Sequence, residues 1–476
     1  MVETSPGMMT RRTFQAGLLL AASLGGAQAE TSVAPGTWSG MLATGGLRLR
    51  LKLDLAADGT ATLFSLDQGG APLPGRVTSS SSDRLELEFP AIRAAFSGRI
   101  VSPDRIEGLW RQGANALPLA FERGEAALTP LAPPSPLTKE RLAELRAAAG
   151  SPAMAAASAR RQSPVHVWVD GERAIGTGVA VEETDIWHLG SITKSMTSSL
   201  VARLADIGAL RWDETVGDVL GAVAPEMRDA YRAATFRHLL CHRSGLPGNL
   251  PVSEVLQFSR DIADAREERT AYVRKALAME PVGPMETTFT YSNDGYVVAA
   301  AMLETKLGKS WEDLTAEHLF GPLGLSTAGF GAPGHAGETD QPVGHTIAPP
   351  GEARRAYPVG GLVTDNPVVI GPAGRIHMSL QDLLRYLVAH RDRTDYLKPE
   401  GWTVLHTPPF GGEYAMGWFV RRNGALWHSG SNTLWYAEAM FDGAGGIVAA
   451  AAANDGYVIK SLPAVAEALR EAVAAA

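Results

Sequence analysis

The sequence predicts an α+β protein in two parts. A small all-β barrel or sandwich occupies residues 30–127, and a larger domain over residues 139–476 packs an antiparallel sheet with helices. Three observations carry this reading. Leu47, Leu49, Leu51, Leu53 and Leu55 alternate with Arg48, Arg50, Lys52 and Asp54, the period of a half-buried strand. Residues 128–138 contain a Pro-rich run, Thr129-Pro130-Leu131-Ala132-Pro133-Pro134-Ser135-Pro136, which reads as a semi-rigid linker. Beyond it, helical and strand periods mix without regular βαβ alternation, which favours an antiparallel sheet over a doubly wound one.

The first 29 residues read as a cleavable leader. Arg11-Arg12 precedes a short apolar run from Ala16 to Leu24, and Ala27-Gln28-Ala29 follows. A charged start, an apolar centre and an A-x-A end describe a signal peptide, and the Arg pair followed by Thr13-Phe14 resembles a twin-arginine signal. The apolar run is too short to span a bilayer, so no stable membrane anchor is expected. The expected compartment is periplasmic or extracellular. Met1, Met8 and Met9 each remain open as the start.

In the β part, Asp58-Gly59 marks a turn between the leucine strand and a return strand from Ala61 to Leu66. Leu85 to Phe89 alternates again. The part shows no chemical constellation; ligand binding, a cover over a site and structural support all stay open. In the larger domain, helical patterns are expected over residues 191–204, 296–307 and 380–390, the last capped by Ser379 and the second closed by Gly308. Strands are expected over residues 165–169, 416–420, 435–441 and 447–453.

Composition narrows the function. Hydrophobic residues make up 45% and charged residues 20%, with a formal net charge of −8, which is ordinary for a globular chain. No basic run supplies a nucleic-acid surface. The single cysteine, Cys241, forbids an intramolecular disulfide, and its apolar neighbours Leu239 and Leu240 read as core. His238 and His242 share a helical spacing but lack a third ligand, so no metal is expected. Gly308-Lys309-Ser310 lacks the first glycine of a P-loop. Neither G-x-S-x-G nor H-E-x-x-H occurs.

The chemistry centres on Gly190-Ser191-Ile192-Thr193-Lys194. A serine hydroxyl needs a base before it becomes nucleophilic. A lysine three residues on lies on the same helix face, and in a water-poor site it loses its proton. A helix start also favours developing negative charge. S-x-x-K alone is a weak signal. It is joined by Tyr291-Ser292-Asn293 and by His428-Ser429-Gly430.

Together these residues resemble the penicillin-recognising serine hydrolases: class C β-lactamases, D-Ala-D-Ala peptidases, D-aminopeptidases and family VIII carboxylesterases. That family orders S-x-x-K, then Y-x-N, then K-T-G or H-x-G. The segments Trp187 to Lys194, Leu239 to Leu246 and Thr290 to Tyr296 are similar to its nucleophile segment, its "LLTHTSGL" stretch and its second motif. The resemblance covers residues 163–456. It implies a β-lactamase/transpeptidase-like fold with a helical subdomain. It also implies that Ser191 forms an acyl-enzyme, that Lys194 eases its deprotonation, that Tyr291, as phenolate or sharing a proton with Lys194, acts as general base and later protonates the leaving group, and that Asn293 orients the substrate amide and bonds Lys194. The oxyanion hole would be the N–H groups of Ser191 and Ser431, with Gly430 allowing close approach. His428 stands where β-lactamases usually carry Lys. The expectation is that it lies at the site edge, tunes substrate charge preference and disfavours β-lactams. Tyr414, Trp418 and Trp435 are candidates for pocket lining or core, and Arg375 and His377 for facing the site.

The resulting expectation is an exported serine hydrolase. Its substrates would be small esters, amides or cell-wall peptides, with carboxylesterase or D-amino-acid peptidase action ranked above β-lactamase. No cofactor is implied. The competing class is a catalytically silent protein that binds cell-wall peptides or glycans.

Overall fold

The computed structural model describes residue 33 and residues 35–476, apart from 45–46, 67–71, 93, 113–114, 126–133, 348–352, 362 and 422. The leader expected over residues 1–29 and the linker up to residue 133 lie outside the described residues.

The first part is a closed barrel. Its strands are β1 (Gly36–Thr44), β2 (Leu47–Leu55), β3 (Thr60–Ser65), β4 (Pro72–Ser80), β5 (Arg84–Phe89), β6 (Ala94–Ser102), β7 (Arg105–Gln112) and β8 (Asn115–Arg123). Each pairs antiparallel with the next, and β8 returns to β1 with Trp38 opposite Arg123. Of the two all-β alternatives, the barrel is the one that forms, and closure leaves no sheet edge exposed. Alternation decides what fills it. Leu51, Leu53 and Leu55 point inward with Leu63, Leu87, Phe89, Phe96, Trp110 and Phe121, all buried. Each such side chain contributes about 1.5–3 kcal/mol of apolar burial.

The second part is built on six antiparallel strands: β9 (Ala153–Arg160), β10 (His166–Gly171), β11 (Phe419–Val420), β12 (Leu426–Ser431), β13 (Tyr436–Asp442) and β14 (Ile447–Ala453). Their order across the sheet is β10-β9-β14-β13-β12-β11. The helices used below are α1 (Lys139–Ala149), α2 (Thr193–Asp206), α3 (Asn293–Leu307), α4 (Leu380–Asp392) and α5 (Val458–Ala475). Ser379 caps α4 by accepting from Asp382 N–H, and Gly308 closes α3 in the left-handed conformation, both as the sequence predicts. The strand expected over residues 416–420 is cut to two residues, because Gly417 takes φ +77° and turns the chain against Ser195.

The central strands are alanine-rich, and both of their faces are covered. Ala155, Ala157, Ala450 and Ala452 join the core that contains α2 and α4. Met154, Ala156, Ala449 and Ala451 join the core that contains α1 and α5. Small side chains let helices lie close on both faces. The barrel strands β1 and β8 pack against α5, so the barrel bears on the face of the sheet opposite α2. No helix among the described residues is long and apolar enough to cross a membrane.

Candidate active site

The chain enters α2 through a 3-10 turn, Gly190–Ile192. Gly190 takes φ +49°, a left-handed conformation that glycine adopts readily. In this tight turn residues three apart lie almost eclipsed. Ser191 Oγ and Lys194 Nζ are therefore 2.9 Å apart. Ser191 is half-buried, whereas Lys194 is fully buried. The amine also donates to Ala373 O at 2.7 Å and lies 4.8 Å and 5.6 Å from the ring centres of Tyr291 and Tyr296. Among the described residues no carboxylate pairs with it, and burial drives its pKa well below the ordinary lysine value. An amine whose charged form burial disfavours, set beside a serine hydroxyl, is placed to take its proton.

Tyr291 precedes α3, whose first turn is capped by Ser292 Oγ accepting from Gly295 N–H at 3.1 Å. Both peptide N–H groups next to Tyr291 are held by one residue. Thr290 N–H donates to His242 O and Ser292 N–H to His242 Nδ1, each at 3.0 Å. His242 sits at φ +63° with 1% exposure, its ring 4.4 Å from that of Tyr291. Burial raises the Tyr291 hydroxyl well above its usual range, and a hydrogen bond with Ser191 offsets part of the rise. The phenol is thus protonated at rest and in reach of the nucleophile.

Asn293 is placed differently from what the family resemblance implies. Its amide donates to Asn249 Oδ1 at 2.7 Å. The Lys194 amine bonds Ser191 and Ala373 instead. Asn293 begins α3, and its backbone N–H is already taken by Gly248 O at 2.8 Å, so the side chain turns toward the 247–249 segment.

The third motif ends β12. Gly430 lies against the nucleophile turn so closely that an added Cβ would be 2.0 Å from Leu189 O and 2.4 Å from Ser191 N. A Cβ on Gly190 would in turn be 2.3 Å from Ser431 N. Two glycines thus bring the turn that carries Ser191 N and the end of β12 that carries Ser431 N into direct backbone contact. His428 is not at the site edge. It is 2% exposed, its Nδ1 donates to Ser429 O at 2.6 Å, and Tyr414 OH donates to its Nε2 at 3.0 Å. Burial, then the proximity of Lys194, lowers its pKa to about 3. The imidazole is neutral and offers no charge to a substrate.

Tyr414 belongs to this aromatic wall, 6.3 Å from Tyr291 ring to ring. Trp418 packs instead against Tyr386 and Phe441, and Trp435 stacks on His188. His377 is half-buried with Nδ1 bonded to Gly331 O, and Arg375 bonds Asp365. Neither faces Ser191. Cys241 is buried, and burial pushes its thiol up to about 12. His238 bonds Thr235 and Glu286, so the two histidines share no ligand geometry. Among the described residues, the grouping with metal-ligand chemistry is His335, Glu338 and Asp340, the first two exposed and the third half-buried, which includes none of the three motifs. Sequence reasoning missed the clamp made by His242 and the Ala373 carbonyl. The first left a trace in the Leu239 to Leu246 segment; a backbone carbonyl 179 residues from its partner leaves none.

Comparison with known proteins follows this geometry. A family model described as Beta-lactamase matches residues 138–474. Penicillin-binding protein 4 of Amycolatopsis lactamdurans is 30% identical over 241 residues, 51% of this chain and 59% of that protein. A D-aminopeptidase of Cereibacter sphaeroides is 34% identical over 200 residues, 41% of this chain and 34% of that protein. This chain therefore spans less than two thirds of the curated relatives it matches. The crystal structure of D-amino acid amidase from Ochrobactrum anthropi SV3 aligns with a TM-score of 0.58 at 18% identity, covering 71% of this chain and 99% of that one; this likeness bears on the fold alone.

Proposed function

From a chain that belongs to the Beta-lactamase family, we propose an exported serine hydrolase that forms an acyl-enzyme on Ser191 with ester or amide substrates. The observation that carries this is the 2.9 Å contact between Ser191 and a lysine whose pKa burial lowers. Ser191 Oγ attacks the carbonyl as its proton passes to Lys194. The oxyanion is met by the N–H groups of Ser191 and Ser431. Tyr291, protonated at rest, delivers its proton to the leaving group and takes the Lys194 proton in its place, which restores the free amine. Water then repeats the sequence on the acyl-enzyme.

Substrate preference follows from charge. In the third motif His428 is neutral and tied to Tyr414, so no cation there receives a carboxylate. This supports carboxylesterase or D-amino-acid peptidase chemistry above β-lactam hydrolysis. The names of the relatives, a D-aminopeptidase and a penicillin-binding protein, agree with an amide or cell-wall peptide substrate. The leader read over residues 1–29 is what supports export to the periplasm or beyond.

The test pairs the full chain with Ser191→Ala. Both are given p-nitrophenyl acetate, a D-alanyl p-nitroanilide and a chromogenic cephalosporin, and intact mass is followed. We expect an adduct on the wild type alone, turnover at least about 10³-fold above the variant, and the cephalosporin as the poorest of the three. Equal inertness of both proteins, with no adduct, overturns the proposal and favours a silent binding protein.

A further inference from the structure

Behind the two backbone donors stands one carboxylate that the three motifs do not contain. Asp365 is 7% exposed. Its Oδ2 accepts from His188 Nε2 at 3.1 Å, and its Oδ1 accepts from Asn432 Nδ2 at 2.9 Å. His188 stands three residues before Ser191, and Asn432 immediately follows Ser431. The two arms of the carboxylate therefore reach the two halves of the oxyanion hole.

Each arm continues into backbone. His188 Nδ1 accepts from Gly190 N–H at 3.1 Å. That nitrogen accepts, so the ring proton sits on Nε2 and points at Asp365. Asn432 Oδ1 accepts from Leu434 N–H at 3.2 Å and Trp435 N–H at 3.1 Å. It thereby winds the turn after β12. That turn includes Thr433 at φ +76°, a conformation a β-branched residue adopts only when its surroundings impose it. Gly190 at φ +49° is the matching bend on the other side.

The carboxylate is itself fixed. Arg375 Nε donates to Oδ2 at 3.2 Å and Asn366 N–H to Oδ1 at 2.7 Å. Burial works to raise the Asp365 pKa, but His188, Arg375 and Asn432 outweigh it and hold the group well below the usual carboxylate range. It is an anion at any working pH. Nothing in this network touches Ser191 Oγ, Lys194 or Tyr291.

We propose that Asp365 is the positioning residue of the oxyanion hole, joining His188 and Asn432 so that the N–H groups of Ser191 and Ser431 keep one spacing. This rests on the reading of Ser191 as nucleophile with Ser431 as the second donor. A group that acts only by aiming those donors affects the tetrahedral state more than the bound substrate. Its loss therefore lowers kcat while leaving KM nearly constant.

The experiment uses the full chain as wild type, Asp365→Asn and Asn432→Ala. It measures kcat and KM on p-nitrophenyl acetate, inhibition by phenylboronic acid (a tetrahedral adduct former), Ser191 acylation by intact mass, and thermal unfolding. For Asp365→Asn we expect kcat to fall by about 10- to 100-fold, KM to stay within about threefold, and the inhibition constant for the boronic acid to rise in step with the kcat loss. Asn432→Ala cuts one arm without changing buried charge, and it should show the same pattern with a smaller loss. It decides the matter where Asp365→Asn, which leaves Arg375 without its anion, fails to fold. Folded variants that keep kcat and boronic acid affinity within twofold of a wild type that is acylated overturn the role of Asp365 alone. A wild type that forms no Ser191 adduct overturns the hydrolase reading and this inference with it.

Discussion

Lys194 shows how a residue is made reactive by being denied solvent. Among the described residues it has no carboxylate partner, and burial lowers its pKa. The unfolded chain holds that proton up to roughly pH 10.4. Between the folded and unfolded pKa values the unfolded state therefore binds more protons, and stability rises with pH across that window. Burying Lys194 thus weakens the fold below the ordinary lysine pKa. We expect Lys194→Met to abolish turnover yet raise the melting temperature by about 2–4 °C at pH 7, a gain that shrinks as the pH approaches 10. Differential scanning calorimetry of both proteins at pH 7 and pH 10 checks this; an unchanged or lower melting temperature at pH 7 would sink it. The same protonation sets the activity profile. Acylation needs the free amine, so kcat/KM should fall on the acid side as Lys194 gains its proton, with that limb well below the ordinary lysine range.

The site is assembled where two elements meet, β12 and the turn entering α2. Gly430 makes the meeting possible, since any side chain there would run into Leu189 O and Ser191 N. Both are backbone atoms and cannot swing aside. We expect Gly430→Ala to lower kcat by about 10²–10³-fold, the worth of one oxyanion donor, and to lower the melting temperature as well. A Gly430→Ala protein with kcat within threefold of wild type would show that β12 does not supply the second donor. The loop carrying Tyr291 is held by a different device. His242 takes the N–H groups on either side of it, so the phenol is aimed by backbone bonds rather than by its own hydroxyl.

For the whole molecule, the barrel and the reacting groups lie on opposite sides of the sheet. β1 and β8 pack on α5, which also packs on α1 and on the strands of the sheet. Ser191, Tyr291 and His428 gather around α2, on the far face. A chain that starts at residue 134 should therefore keep Ser191-dependent acylation, within about threefold in rate, while unfolding at a lower temperature because one face of α5 is uncovered. Loss of acylation in a truncated chain that remains folded would instead assign the barrel a part in the site.

The sequence by itself determined the elements with strong periods and the residue types of the chemistry. The alternating leucines of β2 and the cap and stop of α4 and α3 were legible because they rest on local rules, as was the pairing of Ser191 with Lys194. Tertiary structure decided the rest. The run Ala153–Arg160 is β9, although alanine favours helix in isolation. It is a strand because it pairs with β14 and two helix layers need small residues between them. Barrel rather than sandwich depended on β8 meeting β1, which no local pattern states. Asn293 turned from Lys194 to Asn249, and His428 went inward to Tyr414. Motif spacing says which residues come near one another, but the hydrogen bonds each one makes are set by neighbours supplied from distant parts of the chain.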